Sequence, residues 1–268
     1  MQYCRMEWAG SAAWGLVEER GGALWVTALL ASPWRPGMLD PEQVLAEPLL
    51  LDSAKLLAPV APSKIVCVGR NYRDHAKELG NEVPSEPLLF LKPPSSLLGC
   101  GGVVEMPQVS ARVDYEGELA VVIGRRMRRL QPGEDLQPYL HGVTVANDVT
   151  ARDLQKKDGQ WTRAKGFDGF CPVGPVVQTS VGEAEIAAGL VVETRVNGEL
   201  RQHGTTADFL FSLRELLTYI SAAITLEPGD LLLTGTPAGV GPVQADDCVT
   251  VSVAGVGTLR NCFAAEKP

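Results

Sequence analysis

Short apolar runs, broken at close intervals by glycine and proline, recur along the whole chain. KIVCVG at 64–69, LLFLK at 88–92, VVEM at 103–106, ELAVVIG at 118–124 and GVTVAND at 142–148 are short and rich in β-branched or aliphatic residues, so each is expected to be a strand. WGLVEERGGALWVTALL at 14–30 reads as two strands across a turn between Glu19 and Gly22, with a polar, proline-rich connection after it. VVETRVNGELRQHG carries Asn197-Gly198 between two strand-like arms, a dipeptide that tolerates the positive φ angles of a tight hairpin. CVTVSVAGVGTLRNCF at 248–263 reads as another hairpin. One helix is well marked: Ser212 and Glu215 have capping-box spacing, and Leu213, Leu216, Leu217 and Ile220 share a helical face. The alternation of strand and helix that signals a parallel sheet is absent. The pattern predicts an α+β fold, predominantly β, with a small N-terminal β-rich unit at 1–58 and a larger domain at 59–268.

Composition narrows the function classes. The chain has 268 residues, 45% of them hydrophobic, enough for a substantial core. A net charge of -8 argues against a nucleic-acid partner, which would require a basic face. The one basic knot, GRRMRRL at 124–130, fits a solvated loop or hairpin end. No apolar stretch reaches membrane-spanning length, and MQYCRMEWAGSAAWG lacks a basic segment followed by an apolar one, so a soluble cytoplasmic protein with no membrane partner is expected. The six scattered cysteines form no C-x-x-C pair and are expected to be reduced thiols. GTPAGVGP at 235–242 lacks both the Gly-Lys-Ser/Thr ending of a P-loop and G-x-G-x-x-G spacing, so it does not announce a nucleotide site.

VDYEGELAVVIG at 113–124 changes the picture. Glu116 and Glu118 are two apart, so on an extended strand they point to the same face, at the edge of a run apolar enough to be buried. A solvent-facing strand end would explain such a pair by itself. Asp148 closes a second apolar strand, where it could equally cap a helix begun by TARDLQK. Were the two segments to meet, the three carboxylates would make an all-oxygen site suited to Mg²⁺, with Mn²⁺ or Ca²⁺ as alternatives, rather than to zinc.

The motifs VGRNYRDHAKELG, LFLKPPSSLLG, VDYEGELAVVIG, GVTVANDVTARDLQKKDGQWTRAKGFDGFCPVGP and LEPGDLLLTGTPAGVGP occur in that order from about residue 60 onward. In this respect the chain resembles the fumarylacetoacetate hydrolase superfamily, and within it the smaller bacterial isomerases, acylpyruvate hydrolases and oxaloacetate decarboxylases. The resemblance implies a mixed β-sandwich-like roll, commonly a homodimer, and a divalent cation at the positions of Glu116, Glu118 and Asp148. It implies a 2-oxo or 2-hydroxy-dienoate acid as small-molecule partner and an active-site ammonium at Lys165. Gln155 matches a substrate-contacting position, where an exposed helix residue is the alternative, and Thr236 could offer a hydroxyl to the substrate or serve only a tight turn. Arg70, Asn71 and Tyr72 would line the pocket entrance or pack its loop.

His75 is one of three histidines, and Glu78 follows it at i+3, which places both on one face if 73–79 is helical. By resemblance the two form a dyad in which Glu78 orients His75 as a general base; otherwise they are a surface pair of little consequence. The glycine and proline punctuation of GNEVPSEP leads to the expectation that residues 73–85 are a lid, displaced without ligand and ordered with one. The overall look is nearest to 2-hydroxyhepta-2,4-diene-1,7-dioate isomerases of aromatic catabolism. Acylpyruvate or fumarylacetoacetate-type hydrolysis and oxaloacetate decarboxylation or tautomerisation use the same metal-bound enolate. A non-catalytic metal-binding scaffold is the alternative from another class.

Overall fold

The structure is a computed structural model that describes residues 1–33, 40–78, 80 and 82–267. Part of the expected proline-rich connection, 34–39, lies outside the described residues. Four N-terminal strands, β1 (Gln2–Trp8), β2 (Ser11–Arg20), β3 (Ala23–Leu30) and β4 (Gln43–Leu50), form an antiparallel meander. β5 (Leu56–Leu57) pairs back on β1, and β6 (Ile65–Gly69) pairs antiparallel with β7 (Leu88–Lys92). β8 (Leu97–Leu98), β9 (Val103–Met106), β10 (Val113–Tyr115), β11 (Gly117–Ile123), β12 (Leu140–Asn147), β13 (Thr150–Ala151) and β14 (Cys171–Gln178) follow. The last third holds the hairpin β15 (Val191–Val196) and β16 (Glu199–Thr205), then β17 (Leu231–Leu233), β18 (Gly241–Pro242), and the hairpin β19 (Cys248–Val253) and β20 (Gly257–Ala265). The helices are α1 (Arg73–Glu78), α2 (Arg152–Asp158), α3 (Thr162–Lys165), α4 (Glu183–Gly189) and α5 (Leu213–Ala223).

Strands dominate, as the pattern of short apolar runs predicts. The main sheet has twelve strands and runs β4-β3-β2-β1-β14-β12-β11-β17-β6-β7, with β5 on β1 and β8 on β14. The N-terminal meander therefore joins the rest through β1, which pairs antiparallel with β14. A five-stranded sheet, β16-β15-β19-β20-β9, packs on one face, and β13-β10-β18 form a small third sheet. The sheets are mixed, because β17–β6, β14–β8 and β20–β9 pair in parallel.

Local chemistry explains the turns and the helix. Gly21 and Gly22, and again Asn197 and Gly198, have positive φ at both hairpin positions, the conformation whose twist matches the flanking strands. At α5 the Ser212 hydroxyl accepts from the Glu215 N–H, and the Glu215 carboxylate accepts from the Ser212 N–H at 2.7 Å. Leu213, Leu216, Leu217 and Ile220 are all buried. β11 is buried on both faces: Leu119, Val121 and Ile123 join the core beneath the five-stranded sheet, while Ala120 and Val122 join a second core with Tyr3, Ile65 and Cys171. This two-sided burial is why ELAVVIG reads as a continuous apolar run rather than an alternating one.

Two expectations are corrected. Asp148 does not cap a helix: α2 begins four residues later, after Ala151, and the carboxylate is engaged elsewhere. Nor are all six cysteines thiols. Cys248 and Cys262 face each other across β19 and β20, with Cα atoms 4.0 Å apart, and form a disulfide. Their separation in sequence gives no sign of this; the hairpin register creates it. Cys4, Cys67, Cys100 and Cys171 are free. Among the described residues no helix is long and apolar enough to cross a membrane.

His141 on β12 packs its ring 5.4 Å from that of Tyr3, and burial depresses its pKa to about 4. The folded state thus refuses a proton that the unfolded chain accepts below about 6.5. The stability this histidine contributes is complete above that value and is lost as pH falls toward 4, a loss on the order of 3 kcal/mol. Urea unfolding of His141→Gln between pH 7 and 4 should show a flatter pH dependence than the parent; parallel curves would refute the assignment.

Candidate active site

The site forms where the chain passes from β10 in the small sheet to β11 in the large one. Glu116 sits at that junction and Glu118 lies on β11, with side chains on the face that also carries Ala120 and Val122. On β12 the register pairs Gly117 with Asn147 and Glu118 with Ala146, and the N–H of Asp148 donates to the Glu116 carbonyl at 2.8 Å. The acid that ends one strand is thereby set opposite the acid that precedes the other. Glu116, Glu118 and Asp148 are all buried, and an oxygen from each lies within 4.8 Å of the others. Gly117 between the glutamates is required by the opposite face, where a Cβ would lie 2.0 Å from the Thr194 hydroxyl.

Buried cations answer these acids. The Lys165 ammonium, at the end of α3, donates to Glu116 at 2.8 Å and to Asp148 at 2.5 Å, and lies 5.0 Å from the centre of the Phe90 ring. Burial by itself would lower its pKa, but Asp148 and Glu116 override that and hold it above the ordinary lysine value. Lys92, which closes β7, donates to Asp148 at 2.6 Å and to the Val149 carbonyl. Arg152 donates to Glu116, to Asp114 at 2.8 Å and to the Gln155 side-chain oxygen at 2.7 Å. Although burial opposes its charge, Glu116 is held far below the usual carboxylate range by Lys165 and Arg152. Glu118 is the exception. It accepts a hydrogen bond from the Gly235 N–H at 2.7 Å, and burial together with Asp148 and Glu116 pushes its pKa well up.

His75 is buried on α1, facing the same pocket, and its Nδ1 lies 3.5 Å from Glu78, longer than a well-formed hydrogen bond. Burial lowers the His75 pKa below the usual imidazole value, against the attraction of Glu116 and Glu78. Glu78 is anchored in turn: the Gly239 N–H donates to both its carboxylate oxygens at 3.1 Å. Gly239 needs to be glycine, since its φ is +101° and a Cβ would lie 2.1 Å from the Arg201 carbonyl oxygen. Tyr115 donates its hydroxyl to the Gly239 carbonyl at 2.8 Å and steadies the same turn. Within the expected lid, 73–78 is helix with His75 already over the pocket, while Leu79 and Asn81 lie outside the described residues.

The carboxylates, His75, Lys165, Arg70, Arg152, Gln155 and Thr236 line an inner chamber of about 50 Å³ with Phe90 and Trp161. It opens into an outer chamber of about 440 Å³, and Arg70, Arg152, Gln155 and Trp161 border both. The Thr236 hydroxyl donates to the Gly117 carbonyl and accepts from Gln202, which leaves it a lone pair rather than a proton to offer. Two sequence-predicted neighbours are not brought to the cleft. Tyr72 forms a β-bridge with Phe209 and stacks edge-on against its ring, and Asn71 ties Thr234 to Phe211. Lys92, Arg152 and Asp114 are the charged members that sequence reasoning passed over. Lys92 carries the same signal as Asp148, a charge closing an apolar strand. A larger groove of about 720 Å³, walled by residues of 54–62 and 94–102 with Arg5, contains none of these residues.

The donor set fits a hard divalent cation. It is entirely carboxylate, it converges, and Glu118 has two acidic neighbours and, among the described residues, no cationic hydrogen-bond partner.

Comparison with known proteins places these observations in context. Residues 64–264 match the family model for the C-terminal domain of fumarylacetoacetate (FAA) hydrolase. The chain is 45% identical over 225 residues to the oxaloacetate tautomerase YisK of Bacillus subtilis, covering 79% of this chain and 73% of that one. The crystal structure of 2-hydroxyhepta-2,4-diene-1,7-dioate isomerase from Mycobacterium marinum superposes with a TM-score of 0.86 at 38% identity, covering 100% of both chains. Fumarylacetoacetate hydrolase from Exiguobacterium antarcticum gives 0.83 at 39% identity, covering 99% of this chain and 100% of that one.

Because Glu118 is the acid whose charge folding penalises, Glu118→Gln should stabilise the metal-free protein at pH 7. The same change should abolish the rise in Tm on adding Mg²⁺. Lys165→Met, which takes from Glu116 and Asp148 a buried cation that they share and leaves each with one, should cost about 3–5 kcal/mol. Thermal scans with and without Mg²⁺ check both; an undiminished Mg²⁺ response in Glu118→Gln sinks the metal assignment.

Proposed function

The chain belongs to the fumarylacetoacetate hydrolase family, and from that premise we propose that it is a Mg²⁺-dependent enzyme that moves a proton within a 2-hydroxy-dienoate or 2-oxo acid. The best-supported reaction is isomerisation of 2-hydroxyhepta-2,4-diene-1,7-dioate, with oxaloacetate tautomerisation as the second reading, favoured by the 45% identity to YisK. The observation that carries proton transfer is the joint placement of a buried, low-pKa His75 and a permanently charged Lys165 on one inner chamber of about 50 Å³. That space is about a third of a cavity that admits benzene. With the acid's carboxylate and neighbouring oxygen in place, little remains for an attacking water, which weighs against hydrolysis.

A divalent cation on Glu116, Glu118 and Asp148 would supply Lewis-acid polarisation of the carboxylate and the adjacent oxygen. The chain's own groups account for the rest. His75, neutral at pH 7, takes the proton from the 2-hydroxyl; the electron pair shifts along the diene, and His75 returns the proton to C5, giving the 2-oxo-3-ene acid. The charge that develops at the oxygen lies within the field of the Lys165 ammonium, which is oriented in advance by Glu116 and Asp148. Glu78 stabilises the imidazolium formed midway and is kept in position by Gly239. Phe90 and Trp161 give the chamber its aromatic walls.

Purified protein with Mg²⁺ should turn over the dienoate or oxaloacetate faster than an acylpyruvate; activity on the acylpyruvate alone overturns the reading. The acid limb of kcat/KM should have its midpoint below 6.5, since His75 works unprotonated. Glu78→Gln removes an attraction that raises the His75 pKa, so the midpoint should fall further while kcat drops by about 10²-fold. His75→Asn should remove the limb.

A further inference from the structure

We infer that Gln202, which lines neither chamber, is a positioning residue for both halves of the site: its buried amide locks the turn at 234–239 onto the strand that carries the acids. The inference rests on the catalytic reading above for what that turn serves, and on hydrogen bonds alone for how it is held. β17 pairs with β11 from Leu231 opposite Val122 to Leu233 opposite Ala120, and Gly117 lies beyond the end of that ladder. Side chains take over there. The Thr234 hydroxyl donates to the Leu119 carbonyl and the Thr236 hydroxyl to the Gly117 carbonyl, each at 2.8 Å. The Gly117 N–H is met from the five-stranded sheet, where the Gln202 side-chain oxygen accepts it at 2.9 Å.

Gln202 is the buried position of β16, between exposed Arg201 and His203. Its nitrogen donates to the Thr236 hydroxyl at 2.7 Å and to the Pro237 carbonyl at 2.8 Å, so both of its N–H groups and its oxygen are engaged. The amide cannot be reversed. The Gly117 N–H requires an acceptor and the Pro237 carbonyl a donor, which gives oxygen and nitrogen one permitted place each. The backbone of β16 is shaped to the same turn: a Cβ on Gly204 would lie 2.5 Å from that of Pro237, and one on Gly239 would lie 2.1 Å from the Arg201 carbonyl oxygen. The turn seated in this way presents two N–H groups to acids with different tasks. Gly235 donates to Glu118 at 2.7 Å and Gly239 to Glu78 at 3.1 Å. Gln202 thus acts on the metal-facing acid and on the His75–Glu78 pair through one segment, and hydrogen-bonds to neither acid itself.

The test compares Gln202→Met, which keeps the length of the side chain and removes its polar atoms, with Asn261→Leu. Asn261 is a similarly buried amide that donates to the carbonyls of Gly99 and Gly102, in the wall of the separate 720 Å³ groove. Both variants should melt earlier than the parent. Gln202→Met alone should weaken Mg²⁺ binding, measured calorimetrically on the full chain, by about 10-fold or more. It should also speed hydrogen exchange at the Gly235 and Gly239 amides together. Gln202→Glu should reproduce both effects, because its carboxylate has the shape of the amide and sets oxygen against oxygen at Pro237. A Gln202→Met protein that binds Mg²⁺ as the parent does, or keeps its Gly239 amide equally protected, overturns the inference. The parent supplies a measurement that no folding defect can spoil: its Gly117 and Gly235 amides should exchange with one shared free energy of opening. Independent opening of Gly235 overturns the inference as well. If the parent takes up no Mg²⁺, the metal reading is lost, and the exchange measurements still decide the role of Gln202.

Discussion

Three carboxylates buried within 4.8 Å of one another set the terms for everything around them. Ionised acids out of water are tolerated only when cations and hydrogen-bond donors surround them, and removing one partner of such a set costs about 3–5 kcal/mol. Here the compensation comes from four separate elements: Lys92 from the end of β7, Arg152 from α2, Lys165 from α3 and the Gly235 N–H after β17. The acids thereby hold together parts of the chain far apart in sequence. Their own arrangement depends on one feature, the β11–β12 register with its Asp148-to-Glu116 backbone bond. A slip of one residue would turn Glu118 toward the five-stranded sheet and dismantle the set.

The compensation is uneven, and the unevenness has chemical meaning. Glu116 and Asp148 are surrounded by ammonium and guanidinium groups, whereas Glu118 has a backbone N–H and two acidic neighbours. A site designed only for stability would have no reason to leave that charge unmatched. The same logic applies to His75, whose burial keeps it neutral beside a field that stabilises its protonated form. Both groups are poised for a charge the polypeptide does not itself provide: a cation at Glu118, a proton at His75.

How much of this is legible in the sequence depends on whether a feature is governed by periodicity or by partners. Glu116 and Glu118 could be paired because a strand repeats every two residues, and the hairpins at Gly21-Gly22 and Asn197-Gly198 because few dipeptides accept two positive φ angles. The α5 helix was readable for the same reason, from its cap and its apolar face. Lys92 and Arg152 were not, although both lie inside recognisable motifs, because a lysine or arginine is ordinarily a surface charge and only the fold shows what it faces. Tyr72 shows the converse: standing between Arg70 and His75 says nothing about direction, and its ring turns toward Phe209, the loop-packing alternative. The Cys248–Cys262 disulfide is likewise a matter of register, visible only once β19 and β20 are paired.

The two chambers also explain how one scaffold can carry proteins called isomerase, tautomerase and hydrolase. On the proposed reading the inner chamber recognises a carboxylate beside an oxygen, and it is built mainly from residues that cannot change without exposing buried charge. The outer chamber handles what differs. Arg70 and Lys156 contact none of the three acids by hydrogen bond, so they can be exchanged without disturbing the charge balance within. On that reading selectivity can shift at the mouth while the buried charges beneath it stay balanced.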